Sequence, residues 1–178
     1  LLVVGGSVGS FILGLEEIVG GVLLPLTAVQ LLWINVIADG PPALALGLDK
    51  KQGLMAQPAR DPGSPLLDGP SLMFISVSGS VKAASGGALL LMLPLLGYGV
   101  GIVRTAVFLF ESLVQIIFAY PSRHISVVPR LNPALHLAVG GGALIQILTL
   151  FVPFLREMLG LTMLDARVWL IVTLTVLG

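Results

Sequence analysis

Apolar residues run through this chain in long unbroken stretches, and polar residues interrupt them at intervals close to a membrane thickness. Six apolar stretches stand out, at residues 1–15, 26–48, 71–96, 102–120, 133–155 and 166–178. An α-helix needs roughly 20 mostly apolar residues to cross the ~30 Å hydrocarbon layer, and most of these stretches approach that length. The segments between them differ in character. Pro25 separates the first two stretches, after a turn carrying Glu16 and Glu17. Residues 49–70 are polar and proline-rich, LGYGVG is a tight glycine turn, residues 121–132 are basic, and REMLGLTMLDAR is a short amphipathic link. The pattern predicts an all-α fold, a polytopic transmembrane helix bundle of about six spans within a single domain covering residues 1–178. The span at 26–48 is expected to be broken by Gly40-Pro41-Pro42.

Glycines recur inside the spans, at Gly5-Gly6, Gly86-Gly87 and Gly140 to Gly142. Small residues let helix backbones approach closely, so these positions are expected at helix–helix contacts. The basic residues suggest an orientation. Lys50, Lys51 and Arg60 lie in the loop at about 49–70, and Arg123 and Arg130 in the loop at about 121–132. The opposite side has Arg104, Arg156 and Arg167. Positive charge favours the cytoplasmic side, which places the two longer loops there and the Glu16–Glu17 turn outside.

Composition strengthens the membrane reading. Hydrophobic residues make up 56% of the chain and charged residues 10%, against about 25% charged in soluble domains. Mean hydropathy is +1.06. The formal net charge is zero, so nothing points to nucleic acid as a partner. The chain has no cysteine and two histidines, His124 and His136, which excludes disulfides and thiolate sites and leaves too little for a histidine metal site. Leu1 lies in an apolar run with no charged leader or cleavage site before it, so no signal peptide is expected. Both ends fall inside apolar runs, which suggests a piece of a longer polypeptide.

Ionisable groups inside a bilayer are costly and usually functional. Asp39, Glu111 and Lys82 are the candidates, joined by the amide of Asn35. Asn35 and Asp39 are four residues apart, which on a helix puts both on one face. Pro41 and Pro42 follow, and neither has an N–H. The carbonyls of Ile37 and Ala38 are then left without their α-helical donors, beside the Asp39 carboxylate. An amide oxygen, a carboxylate and loose carbonyls form a hard oxygen set suited to Ca2+, Mg2+, Na+ or K+. Interrupted helices near mid-membrane are a known way to build such sites. The same residues also fit a proline kink whose polar side chains bond to a neighbouring helix.

Glu111 is expected well inside the 102–120 span, with Gln115 one turn later. It reads either as a site carboxylate or as a protonated acid bonded to another helix. Lys82 lies roughly ten residues inside the 71–96 span. Either it forms an internal salt bridge with Glu111 or Asp39, or the span is offset and Lys82 nears a surface. Trp33, Trp169, Tyr98 and Tyr120 read as interface or packing aromatics.

The stretch PLTAVQLLWINVIADGPPALALGLD resembles the fifth-to-sixth helix region of P-type cation-transporting ATPases, most of all the calcium-pump-like group. The following LMAQPARDPGSPLLDG is similar to that family's cytoplasmic loop, FESLVQIIFAY to its eighth helix, and LNPALHLAVGGGALIQILTLFVPFL to its ninth. The resemblance covers the fifth to the tenth helices. It implies that Asn35 and Asp39 are sixth-helix cation ligands and that Glu111 is the eighth-helix acid. Ser7 and Ser10, in SVGS, then stand at fifth-helix ligand positions.

Several positions depart from the family pattern. Ser10 replaces a glutamate, Ala38 replaces a threonine, the proline is doubled, and Lys82 is a newcomer to the seventh helix. The region is thereby less anionic than two calcium ions require. One divalent ion, a monovalent ion or a proton counter-ion fits better.

The expected function is the membrane domain of an ATP-driven cation pump, providing part of the binding site and translocation path. The expected partners are the lipid bilayer, an inorganic cation (Ca2+, Mg2+, Na+, K+ or H+), and the N-terminal helices and cytoplasmic ATPase domains of the same parent chain. No DKTGT-type phosphorylation motif or P-loop occurs in the sequence. ATP and Mg2+ are therefore expected in domains outside it, with no cofactor and no catalysis in this segment alone. The expected location is multi-pass in the cell membrane. Two other readings stay open, a secondary transporter of alternating-access type and a non-transporting, degenerate membrane anchor module.

Overall fold

A computed structural model describes residues 26–48, 69–124 and 132–177. The expected first span at 1–15, with Ser7 and Ser10, lies outside the described residues, as do most of the two longer loops. Helix α1 is Ala28–Gly47. Helix α2 is Gly69–Leu95, α3 is Val100–Ile117, and a short α4, Ala119–His124, prolongs α3. Helix α5 is Pro133–Phe151, α6 is Pro153–Met158 and α7 is Ala166–Leu177. No strand occurs among the described residues. Four helices are long and apolar enough to cross a membrane: α1, α2, Val100–Ser122 and α5. The apolar α7 is shorter. Helix α5 ends sooner than the 133–155 pattern suggests, because Pro153 forces Val152 into an extended conformation (φ −85°, ψ 113°).

The helix ends follow from local chemistry. Thr27 opens α1 with a capping box: its hydroxyl accepts from the Gln30 N–H, and the Gln30 side chain accepts from the Thr27 N–H. Asn132 accepts from the Leu135 N–H at the start of α5, ahead of Pro133 in the first turn. Glycines at positive φ stop two other helices, Gly97 at 87° and Gly160 at 62°. Around Gly97, Tyr98 N–H donates to the Leu93 carbonyl and Gly97 N–H to that of Pro94. Around Gly160, Leu161 N–H donates to Arg156 and Gly160 N–H to Glu157. Both are Schellman turns, which need a left-handed residue that glycine supplies without steric cost.

These turns share one end of the bundle. There Gln30 donates to the Leu159 carbonyl, Thr162 N–H donates to the Thr105 hydroxyl, and Tyr98 donates to Asp165. At the other end Asn132 donates to the Ala45 carbonyl, and Tyr120 bonds His136. The C-terminus of α1 and the start of α5 therefore lie together at this second end. Tyr98 and Tyr120 mark opposite ends of the bundle, as aromatic belts do.

Helix α3 is the hub. It packs against α1, α2, α5 and α7, so Thr105 to Ser112 is buried without a gap. The distribution of polarity reverses that of a soluble protein. Gln30, Lys82, Glu111, Gln115 and Gln146 are buried, while Leu44, Leu95, Leu137 and Phe154 are each more than 70% exposed. Such a surface belongs in lipid, and the chain is an integral multi-pass membrane protein.

Gln30 ties the first turn of α1 to the link between α6 and α7 and is wholly buried. Gln30→Leu removes the capping acceptor and the donor to Leu159 together. It is expected to destabilise the bundle by about 1–3 kcal/mol, seen as a lowered melting midpoint by circular dichroism in detergent.

Candidate intramembrane cation site

The sequence around Asp39 sets the local geometry. Gly40, Pro41 and Pro42 form the first turn of an α-helical segment, Gly40–Gly47, where missing N–H groups are tolerated. The strain falls on the turn before it, and Ile34–Asp39 is π-helical. A π turn bonds i to i+5 instead of i+4 and widens the helix. The span is thus continuous through Gly-Pro-Pro and deformed ahead of it, where the sequence pattern suggests a break after Asp39. The prolines still deny the Ile37 and Ala38 carbonyls their α-helical donors.

The two ligand candidates on α1 differ in burial. Asp39 is buried, at 7% exposure, whereas Asn35 is exposed. Four-residue spacing places both near one side of the helix, and the neighbouring helices cover only the Asp39 edge of it.

Asp39 belongs to a chain of polar side chains across three helices. Lys82 Nζ on α2 lies 2.6 Å from Glu111 Oε2 on α3. It also donates to Gln115 Oε1 at 2.9 Å. Gln115 in turn hydrogen-bonds the Asp39 side chain, and Asp39 lies within electrostatic reach of Lys82 and Glu111. Glu111 and Gln115 are one turn apart on α3, so both face the same junction. The sequence left Glu111 and Asp39 as alternative partners for Lys82. The direct ion pair is with Glu111, and Gln115 relays to Asp39. Oδ1 of Asp39 is buried and accepts no hydrogen bond from the described residues.

All of this sits at mid-depth. Lys82 is the midpoint of Gly69–Leu95 and Glu111 the midpoint of Val100–Ser122. At 1.5 Å per residue, Lys82 is about 20 Å from either helix end, beyond the reach of snorkelling. A cavity of about 270 Å³ borders Lys82 and Gln115, walled by Val81, Phe110, Phe118 and Val176 and edged by Ser78, Ser85 and Thr175.

Helix α5 closes another side. Gln146 is fully buried and accepts from Trp33 Nε1 at 3.1 Å, so Trp33 is a packing residue with a polar tether. One turn earlier, Gly142 lies against the π segment: a Cβ there would sit 3.7 Å from the Ile37 carbonyl oxygen. Gly142 alone of its triplet makes such a contact. Added Cβ atoms at Gly140 and Gly141 meet nothing within 4 Å. The sequence reading missed Gln146 and Gln30, and it noted Gln115 without its bridging role. Each is an amide inside an apolar run, a signal that was present.

Among the described residues no three His, Cys, Asp or Glu side chains converge as a metal cluster. A cation here would rely on one or two carboxylates with amide and carbonyl oxygens.

Residues 23–178 match the family described as "Cation transporting ATPase, C-terminus". This chain belongs to that family, the C-terminal membrane region of the P-type cation ATPases. Relatives agree over shorter stretches. The chain is 39% identical over 57 residues to a calcium-transporting ATPase of Bacillus subtilis, covering 32% of this chain and 6% of that protein. It is 41% identical over 68 residues to the probable cation-transporting ATPase F of Mycobacterium tuberculosis, covering 35% and 7%. It is 36% identical over 58 residues to the mouse calcium-transporting ATPase type 2C member 2, covering 32% and 6%. The matched stretch is thus a small part of each of these ATPases.

Gln115→Leu removes the amide that joins Lys82 to Asp39. Leaving Asp39 without that donor is expected to cost about 1–3 kcal/mol, measured as a lower melting midpoint. Gln115→Asn shortens the bridge but keeps the amide, and should retain part of the loss.

Proposed function

We propose that this chain is the membrane part of an ATP-driven cation pump and supplies part of its ion site and translocation path. The observation that carries this reading is the Asp39 carboxylate, which is buried near mid-span beside a π turn with loosened carbonyls and has one oxygen open to a ligand. Burying an anion in such surroundings is costly unless a cation arrives to neutralise it. Carboxylate, amide and carbonyl oxygens favour a hard ion, drawn from Ca2+, Mg2+, Na+, K+ or a proton. The names of the relatives support a cation and a pump. Asn35, in the same turn as Asp39, joins the site in this reading once the helices shift, with Ser7 and Ser10 as further oxygen donors. In this reading, phosphorylation in cytoplasmic domains of the parent chain shifts these helices and changes access to Asp39. The basic residues of the two longer loops support a cytoplasmic position for them, on the side of those domains.

Asp39→Ala in the full-length pump is expected to abolish cation-stimulated phosphoenzyme formation from ATP while leaving the melting midpoint near or above the wild-type value. Normal cation-dependent phosphoenzyme in that variant would remove Asp39 from the site.

A further inference from the structure

Lys82 has no place in the pump reading so far, yet it makes both an ion pair and a hydrogen bond in the membrane core. Its ammonium lies 2.6 Å from Glu111 Oε2 and donates to Gln115 Oε1 at 2.9 Å. Two oxygens converging on one point supply part of the oxygen shell of a hard cation, which for Ca2+ holds about six to eight oxygens at roughly 2.3–2.6 Å. We propose that the Lys82 ammonium is a resident cation: it permanently fills the ion position formed by Glu111 and Gln115, and only the position at Asp39 is left for a transported ion. The inference rests on the reading of Asp39 as the transport site.

Three observations support it. The amine is 6% exposed and Glu111 is fully buried, and the pair sits at mid-depth in both helices, so neither charge can reach an aqueous surface. The ammonium is tethered, so its effective concentration at Glu111 far exceeds that of any free ion. The charges also balance for a single guest. Asp39, Glu111 and Lys82 sum to one negative charge, which one monovalent cation neutralises, while Gln115 couples the resident position to the open one. The cavity of about 270 Å³ beside Lys82 and Gln115 leaves space next to the position once the amine is gone.

The test removes the amine and asks whether an inorganic cation takes its place. Thermal unfolding of the full-length pump in detergent is followed at constant ionic strength with NaCl, KCl, MgCl2 or CaCl2 replacing choline chloride. Lys82→Met is expected to gain a saturable upward shift of the melting midpoint, beyond the wild-type response, with at least one of these cations. The gain should vanish in the Lys82→Met, Glu111→Gln double variant, and Lys82→Arg should respond as wild type does. A Lys82→Met protein with the wild-type cation response overturns the proposal, as does a gain that survives Glu111→Gln. If Lys82→Met folds only when one of the four cations is present during purification, that rescue supports the proposal. If none of the four recovers it, the proposal fails. The Asp39 reading is separated by its own arm: a wild-type cation response that persists in Asp39→Asn sinks that reading, whatever Lys82→Met shows.

Discussion

Hydrocarbon cannot solvate charge, and the architecture around α3 answers that constraint. A lysine at the centre of α2 is tolerable only beside an acid at the same depth. Glu111 meets it because α3 runs alongside α2 and is covered by helices on every other side. The pair fixes the register of the two helices, since sliding either by one turn would leave both charges in a medium that penalises them heavily. Gln115 extends the network to α1 and lets one core serve two carboxylates of like charge.

The deformation of α1 has a local cause and a distant partner. Two consecutive prolines can open an α-helical segment but cannot sit within one, so the irregularity moves upstream into the six residues that hold Asn35 and Asp39. Gly142 on α5 faces this turn, where an added Cβ would touch the Ile116 side chain and the Ile37 carbonyl oxygen at ordinary contact distance. Packing and ion chemistry thus draw on the same backbone feature, since Pro41 and Pro42 cannot donate to the Ile37 and Ala38 carbonyls.

Much of this was legible in the sequence, and the rest was hidden for identifiable reasons. Uninterrupted apolar runs located α1, α2, α3 and α5, because lipid demands length and apolarity together. Lys82, Glu111 and Asp39 stood out because charge is rare in such runs. The pairing of Lys82 with Glu111 was not decidable, since it depends on how α2 and α3 align in depth, which no local pattern encodes. The difference in burial between Asn35 and Asp39 was not legible, because it depends on which edge of α1 the neighbouring helices cover. The end of α5 at Phe151 was missed because Val152 and Phe154 keep the apolar signal going past a proline that ends the helix.

Helix α1 is fastened at both extremities by its neighbours' polar groups. Near one extremity Gln30 clasps the Leu159 carbonyl, and near the other Asn132 grips the Ala45 carbonyl. A rod pinned in this way cannot slide along its axis like a piston. Any change in how its middle turn is wound must appear as twist or bow between the two fastenings, and Asp39 sits in the stretch where that twist would be felt.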